Sequence, residues 1–366
     1  MIREVYSDFI KNKISKKDFN WVYKRGLQYS LIHLSLLIGR PLCGPILGTF
    51  VTNYRCNYHC KMCDLPLRDE QLKKKGLEEF STGQLKQVIR DFADLGISGI
   101  GFTGGEPLLR NDIFELLKYT KDLGMISHLN TNGFLLNEEN ASRVIEAGVD
   151  SINISLDGAK SQTHDTIRGY PGAFDRVINA VRCINTLRKE KGSPVRLKVV
   201  TVINETNIDE VKDLVELSID LNTDCIEFIP QQPFFISSRD SRGLNCDGTF
   251  LKKLSKAVNY LLDFKEKEIK IENSSRHLRL FERSFKNKKS PLICYAGYNS
   301  YTVDCYGEIY PCLPWLNWGK SVGNVKDTTL RKFWYSSKFN KIRHSIAKCK
   351  DCYLNCQAEL NLLFNF

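Results

Sequence analysis

Cys56, Cys60 and Cys63 crowd into the stretch TNYRCNYHCKMCD, Thr52 to Asp64. Thiolates spaced this closely point to a metal, and their number restricts what they hold. On a cubane iron–sulfur cluster, three thiolates satisfy three irons and leave the fourth open to another ligand. A structural site takes four protein ligands and closes, which here would mean zinc with His59 as the fourth. Further along, GFTGGEPLL supplies a second chemical feature. Gly104 and Gly105 let the backbone approach a ligand, Glu106 offers an acceptor for an ammonium group, and Pro107 stiffens the turn.

Of the chain's 13 cysteines, five more are grouped near its end: Cys294, Cys312, and the CKDCYLNC triplet Cys349, Cys352 and Cys356. They are five candidates for a site that needs four ligands, and a four-cysteine zinc knuckle is the structural alternative. The remainder, Cys43, Cys183, Cys225, Cys246 and Cys305, stand alone and read as small core residues. Disulfides explain the grouping poorly, because the sequence reads as cytoplasmic: its start shows no secretory signal, and no apolar run approaches the roughly 20 residues of a spanning helix.

Together, CxxxCxxC at Cys56, Cys60 and Cys63 and GGEP at Gly104 to Pro107 resemble the radical S-adenosylmethionine (radical SAM) superfamily. The resemblance covers residues 47 to about 233 and implies a partial (β/α)6 barrel with a [4Fe-4S] cluster. In that family the methionyl amine and carboxylate of S-adenosylmethionine bind the open iron. Reduction then releases a 5′-deoxyadenosyl radical, which removes a hydrogen atom from substrate. NISLDG resembles the family's fourth-strand motif, which makes Ser155 and Asp157 candidates near the cofactor's amino acid or ribose. HDTIRG places Arg168 against the cofactor carboxylate, and Asn130 and Asn132 of LNTNG face the same pocket in this reading. The residue before the third cysteine is often aromatic in the family. Here it is Met62, whose thioether can pack on a purine.

ICYAGYNSYTVDCYGEIYPCLP, with GNV at Gly323 and the LRKFWYS run, resembles the auxiliary-cluster extensions called SPASM and, in shortened form, twitch. This implies one auxiliary [4Fe-4S] cluster held by Cys294, Cys312 and two of Cys349, Cys352 and Cys356. Enzymes with such extensions act on ribosomal peptides, protein side chains or small-molecule alcohols. The expected function is oxidation or cross-linking of a ribosomal peptide or protein side chain. The alternative is dehydrogenation, epimerisation or another radical modification of an alcohol, sugar or lipid-linked intermediate. A zinc-stabilised interaction protein without turnover is the reading from a different class.

These residues must be positioned by regular elements. From residue 47, six β-rich runs alternate with helical stretches such as TGQLKQVIRDFADLG, the pattern of parallel strands with helices outside. The active end of such a barrel is the C-terminal end of its strands, where both motifs fall. Six units instead of eight predict an open barrel with a lateral mouth. The expected division is a helical extension over 1–43, the barrel over 44–233, a helical region over 234–290 containing two lysine-rich helices, and a SPASM/twitch-like domain over 291–366. FFISSRDSRGLNCDG reads as a polar connection, and a hairpin turns at Tyr306-Gly307.

At 366 residues and 42% hydrophobic content the chain can fill a sizeable core, and its net charge of +11 suits an anionic partner. No stripe of basic and aromatic residues reads as a nucleic-acid groove. The resemblance implies a one-electron reductant of flavodoxin or ferredoxin type and a peptide or small-molecule substrate. Residues 1–40 carry eight Lys/Arg against three Asp/Glu, so their helix either packs on the barrel or rests peripherally on a membrane. The cluster and zinc readings differ in colour and metal content. Anaerobically purified protein is expected to be brown with iron and acid-labile sulfide, and colourless protein containing zinc would defeat the enzyme reading.

Overall fold

The computed structural model describes residues 14–15, 19–74, 76–232, 246–267 and 270–365. The polar connection after Pro230 lies mostly outside them, as do residues 1–13. Helix α1 (Phe19–Ile38) precedes β1 (Leu47–Val51), after which helices and strands alternate. The series is α2 (Leu65–Lys74), α3 (Thr82–Asp94), β2 (Gly99–Thr103), α4 (Ile113–Asp122), β3 (Ile126–Thr131), α5 (Glu138–Glu146) and β4 (Ser151–Ser155). It continues through α6 (Ser161–Arg168), α7 (Ala173–Glu190), β5 (Arg196–Ile203), α8 (Val211–Asp220) and β6 (Cys225–Pro230). All six expected strands form, parallel and in the order β6-β5-β4-β3-β2-β1, the partial barrel that the alternation requires.

Strand periodicity sorts the residues into two environments. Phe50, Phe102, Leu129, Ile154, Val199 and Phe228 face the helices and make the main apolar core. The helix faces complete it: in α3, Leu85, Val88, Ile89 and Phe92 recur at helical spacing, after a capping box between Ser81 and Gln84. The alternate strand positions point into the barrel and are more polar. They include His128, Asn130, Asn153, Ser155, Lys198 and Glu227.

After the barrel come α9 (Gly248–Lys267), α10 (Ser275–Leu278) and α11 (Phe281–Phe285), one long and two short helices where two were expected. A cap at Ser274, accepting from the His277 amide, restarts the chain after Ile271 pairs with Ile226. β7 (Ser300–Asp304) and β8 (Glu308–Tyr310) form the expected hairpin with Gly307 at φ 81°. The hairpin does not stand apart. β7 pairs in parallel with β1 over its whole length, Leu47 beside Ser300 to Val51 beside Asp304, and β9 (Gly323–Asn324) follows β8 in the same nine-stranded sheet.

The chain closes with α12 (Leu313–Asn317), α13 (Leu330–Trp334), α14 (Ser337–Ile346) and α15 (Asn355–Leu362). α15 is buried nearly all round despite its polar sequence. Asn355 Nδ2 donates to Glu227 Oε1 at 2.7 Å and to the Phe228 carbonyl at 2.9 Å, while Ser300 Oγ donates to Gln357 Oε1 at 2.7 Å. The helix thus bridges β6 and β7 across the lateral mouth expected to be open. Leu360 packs on Leu47 and Ile126. Leu360→Ala is expected to lower stability by about 2–4 kcal/mol, because a fully buried leucine leaves a cavity between strands that cannot collapse. Urea titration of the wild type and variant measures it.

Candidate active site

The cysteine loop leaves β1 at its C-terminal end and is held on both sides by backbone. The Gly105 amide donates to the Asn53 carbonyl at 2.9 Å and the Glu106 amide to the Arg55 carbonyl at 2.7 Å. A Cβ on Gly104 would lie 2.2 Å from the Asn53 oxygen, and one on Gly105 would lie 1.9 Å from that of Arg55. The glycines therefore serve the contact between two loops, not only approach to a ligand. On the far side, the Lys61 amide donates to the Ile167 carbonyl at 3.1 Å, and Gly169 caps α6 at φ 65°, where a Cβ would stand 2.3 Å from the His59 oxygen. Tyr58 stacks among Phe134 and Tyr170, with ring centroids 5.7 and 5.2 Å away.

Between these loops is a cavity of about 180 Å3 lined by all three thiols, Met62, Gly104, Gly105, Asn130, Asn132, Ser155 and Arg168. Asn132 Nδ2 lies 3.8 Å from Cys56 Sγ, and Arg168 Nη1 lies 3.8 Å from Cys60 Sγ. Burial pushes the Cys56 thiol up to about 11 and the Cys63 thiol up to about 12, so these sulfurs ionise only when a cation compensates them. Burial opposes the charge of Arg168, but Asp157 and Cys60 hold the guanidinium protonated. Asp157 Oδ2 sits 2.5 Å from Arg168 Nη2, and Oδ1 accepts from the Val202 amide at 2.7 Å.

Glu106 and Pro107 stand behind the cavity wall. The Glu106 carboxylate accepts from Thr131 Oγ1 and the Asn132 amide, both at 2.8 Å, and from the Leu108 amide at 3.1 Å. Burial raises it to about 7 in spite of these donors. Its position ties the GGEP turn to the loop after β3. Asp157 likewise lies outside the lining and acts on the cavity through Arg168.

A second cavity of about 320 Å3 adjoins the first, sharing Met62, Cys63, Thr103, Gly104, Asn130 and Ser155. It runs down the barrel to Asn355 and Cys356 on α15. His128 is in its wall with neither ring nitrogen hydrogen-bonded, and burial, aided by Lys198, drives the imidazole down to about 3, so it is neutral. Lys198 Nζ pairs with Glu227 Oε2 at 2.5 Å beside it. His128, Lys198, Glu227 and Tyr58 were not singled out from the sequence. The available signal was a lysine and a glutamate at inward positions of otherwise apolar strands, where unpaired charges are rare.

The five C-terminal cysteines lie near one another. Cys294 and Cys312 share an apolar cluster with Ala296 and Ile346. Burial pushes Cys294 up to about 11 and Cys312 and Cys352 well above the usual thiol range; Cys294, Cys349 and Cys352 each act on Cys312. The Leu354 amide donates to Cys352 Sγ at 3.4 Å. Cys356, raised to about 12 by burial and by Glu227, neighbours Cys352 but lines the barrel cavity.

Among the described residues no three or more His, Cys, Asp or Glu side chains are gathered to hold a single ion. His59 is exposed and outside the cavity lining. A cluster spreads its thiolates over separate irons, and both cysteine groups, with their compensating donors, fit that demand.

A parallel partial barrel with three thiols at its C-terminal end is the architecture of a radical SAM enzyme. The radical SAM superfamily model matches residues 50–218, and the SPASM model, an iron-sulfur cluster-binding domain, matches residues 294–356. The chain belongs to the radical SAM superfamily; its domains bind a [4Fe-4S] cluster with S-adenosylmethionine and auxiliary iron–sulfur. It is similar to the AdoMet-dependent heme synthase of Oleidesulfovibrio alaskensis, with 26% identity over 86% of this chain and 81% of that protein. The protein of the same name from Methanosarcina barkeri is 28% identical over 79% of this chain and 82% of its own. Among solved structures, Streptococcus suis SuiB bound to S-adenosylmethionine superposes with TM-score 0.63 at 18% identity, over 93% of this chain and 79% of that one. Native anSMEcpe with bound AdoMet gives 0.59 at 18% identity, over 82% and 83%. These last two likenesses are of fold.

Which of the last cysteines bind iron has a direct readout. Cys352→Ala is expected to cost about one cluster's iron, roughly four atoms, and Cys356→Ala none. Iron and sulfide analysis of folded, reconstituted variants distinguishes them, with circular dichroism to exclude unfolding around a lost metal site.

Proposed function

We propose that this radical SAM enzyme oxidises a compact, largely apolar small molecule held in the barrel between its two cysteine groups. The observation that carries this is the 320 Å3 cavity, which has Met62 and Cys63 at one end and Cys356 at the other. Val51, Val200, Val202, Ile229, Leu316 and Leu354 make its apolar walls. Its volume lies at the small end of the usual range for small-molecule sites, about 300–1,000 Å3. The heme synthase relatives, which align across both domains, also support a small-molecule substrate. A peptide or protein side chain, the first expectation from sequence, is the second reading: one side chain reaching into the cavity, on a fold like that of SuiB solved with its precursor peptide SuiA.

In this reading Cys56, Cys60 and Cys63 hold the barrel cluster, and Cys294, Cys312, Cys349 and Cys352 hold the auxiliary one. When bound, these groups supply a 5′-deoxyadenosyl radical at one end of the cavity and an electron acceptor near the other. A substrate held there would be oxidised by two electrons overall, giving up a hydrogen atom and then an electron and a proton. A one-electron reductant of flavodoxin or ferredoxin type starts each turnover. Asn132 and Arg168 donate to the Cys56 and Cys60 sulfurs, Asp157 orients Arg168, and Met62 and Ser155 line the junction of the two cavities. Neutral His128 presents one donor and one acceptor to a polar group of the substrate. The enclosing barrel keeps water from a primary radical that would otherwise attack it.

Reconstituted protein with a strong reductant is expected to cleave S-adenosylmethionine to methionine and 5′-deoxyadenosine, and Cys56→Ala to abolish this. Gly101 lines the substrate cavity, where an added Cβ would meet only the Gly48 oxygen at 4.0 Å. Gly101→Val therefore narrows the cavity without displacing backbone. It should retain 5′-deoxyadenosine release but lower product yield by about 5- to 150-fold, since overpacking costs binding about 1–3 kcal/mol. Chromatography of both products checks it; undiminished product from a folded Gly101→Val enzyme would remove the substrate from this cavity.

A further inference from the structure

Helix α1 is seated on one side by polar contacts and by Ile32, packed among Tyr295, Tyr298 and Phe364, and it shows a second apolar side to water. Gln28 Nε2 donates to the carbonyls of Gly44 and Pro45, both at 2.9 Å, and Arg25 Nη1 donates to that of Gly96 at 2.7 Å. Ser35, also buried, accepts from the Leu42 amide at 2.9 Å. Phe19, Tyr23, Leu27, Leu34, Leu37 and Ile38 are exposed, Tyr23 at 69% and Leu37 at 73%. At the helical turn of 3.6 residues these six fall within one arc of about 100°, which also holds exposed Ser30, while buried Gln28, Ile32 and Ser35 lie outside it on the protein side. Among the described residues, eight of the twelve exposed large hydrophobic side chains lie between Ile14 and Leu42. Single exposed leucines are ordinary, but a contiguous stripe marks an interaction surface.

We propose that this stripe lies flat on an anionic bilayer surface. Charge selects that occupant. Residues 1–40 carry eight Lys/Arg against three Asp/Glu, the whole chain is +11, and exposed Lys24 and Arg40 flank the stripe. An anionic lipid surface complements this distribution, whereas a second copy would bring like charges together. No helix among the described residues is long and apolar enough to cross a membrane, which fits an interfacial helix.

The seating also sets the orientation. Gly44 and Pro45 precede β1 and Gly96 precedes β2, so α1 covers the N-terminal ends of the strands. The loop bearing Cys56 leaves the opposite end, one strand of five residues away, about 17 Å. The bound enzyme therefore presents its active end to water, where reductant and substrate arrive, rather than to the lipid.

Co-sedimentation of the reconstituted protein with mixed phosphatidylcholine–phosphatidylglycerol vesicles tests this. Binding is expected there and not with pure phosphatidylcholine. Leu34→Ser with Leu37→Ser should weaken it by at least about tenfold, and Lys24→Gln and Arg40→Gln by about fivefold each. Circular dichroism and iron content should stay unchanged, because these side chains face solvent. Vesicle-bound enzyme should cleave S-adenosylmethionine at the rate of free enzyme. Equal binding to both vesicle types, or binding indifferent to the leucines, overturns the proposal. So does a dimer that the leucine variants convert to monomer without any vesicle binding. A large loss of cleavage on vesicles overturns the orientation.

Discussion

Strand β1 is hydrogen-bonded along both edges, and the placement of both cysteine groups follows from that. On one side β2 leads into the GGEP turn; on the other β7 leads into the hairpin between Cys294 and Cys312. The loop with Cys56, Cys60 and Cys63 emerges between them. Tyr54 at its start donates to Asp304 Oδ2 at 2.7 Å, and Arg68 on α2 reaches Tyr310 at 2.8 Å and lies over the Tyr54 ring. The C-terminal unit is therefore an outgrowth of the barrel's own sheet. Its distance from the catalytic loop is set by strand pairing, not by a flexible linker.

Within that frame the site is made of buried polar groups, each needing a partner. Asp157 needs Arg168, Arg168 faces a cysteine sulfur, and Glu106 is saturated by three donors from two other elements. Lys198 and Glu227 neutralise each other, and Asn355 of α15 takes the second glutamate oxygen. Such a network is costly to leave half-made, so it holds the loops in one geometry. The thiols are its open terminus. Their burial makes them poor anions alone and good ligands for a group that brings positive charge.

The two ends of the strands carry different features. The C-terminal ends carry the cysteines, the glycine turn and the cavity mouth, as in other barrels. The N-terminal ends carry α1, which is held by polar contacts to Gly44, Pro45 and Gly96 and by Ile32 in an apolar cluster, and which leaves a second hydrophobic stripe exposed. An enzyme that makes a radical gains from walls that exclude water at one end, and it can spend the other end on attachment without disturbing them.

The sequence by itself determined what depends on local spacing. Strand alternation and helical periodicity are encoded within windows of a few residues, so all six barrel strands were legible, as were the capped helices between them. The CxxxCxxC and GGEP motifs announced their chemistry because loop ligands are read from neighbours in the chain. Tertiary structure decided whatever joins distant segments. That β7 pairs with β1, across some 250 residues, has no local signal, since a strand's own residues carry no mark of which distant strand it will pair with. Nor did spacing show that Cys356 borders the barrel cavity while it stays beside Cys352, since that follows from the packing of α15 against β6. The demand for Gly104 and Gly105 came from the carbonyls of Asn53 and Arg55, and Glu106 was turned to Thr131 and Asn132. Composition of α1 showed an amphipathic basic helix; which face would meet the protein was decided by distant partners, the carbonyls of Gly44 and Gly96 that needed a donor and the Tyr295, Tyr298 and Phe364 side chains that take Ile32.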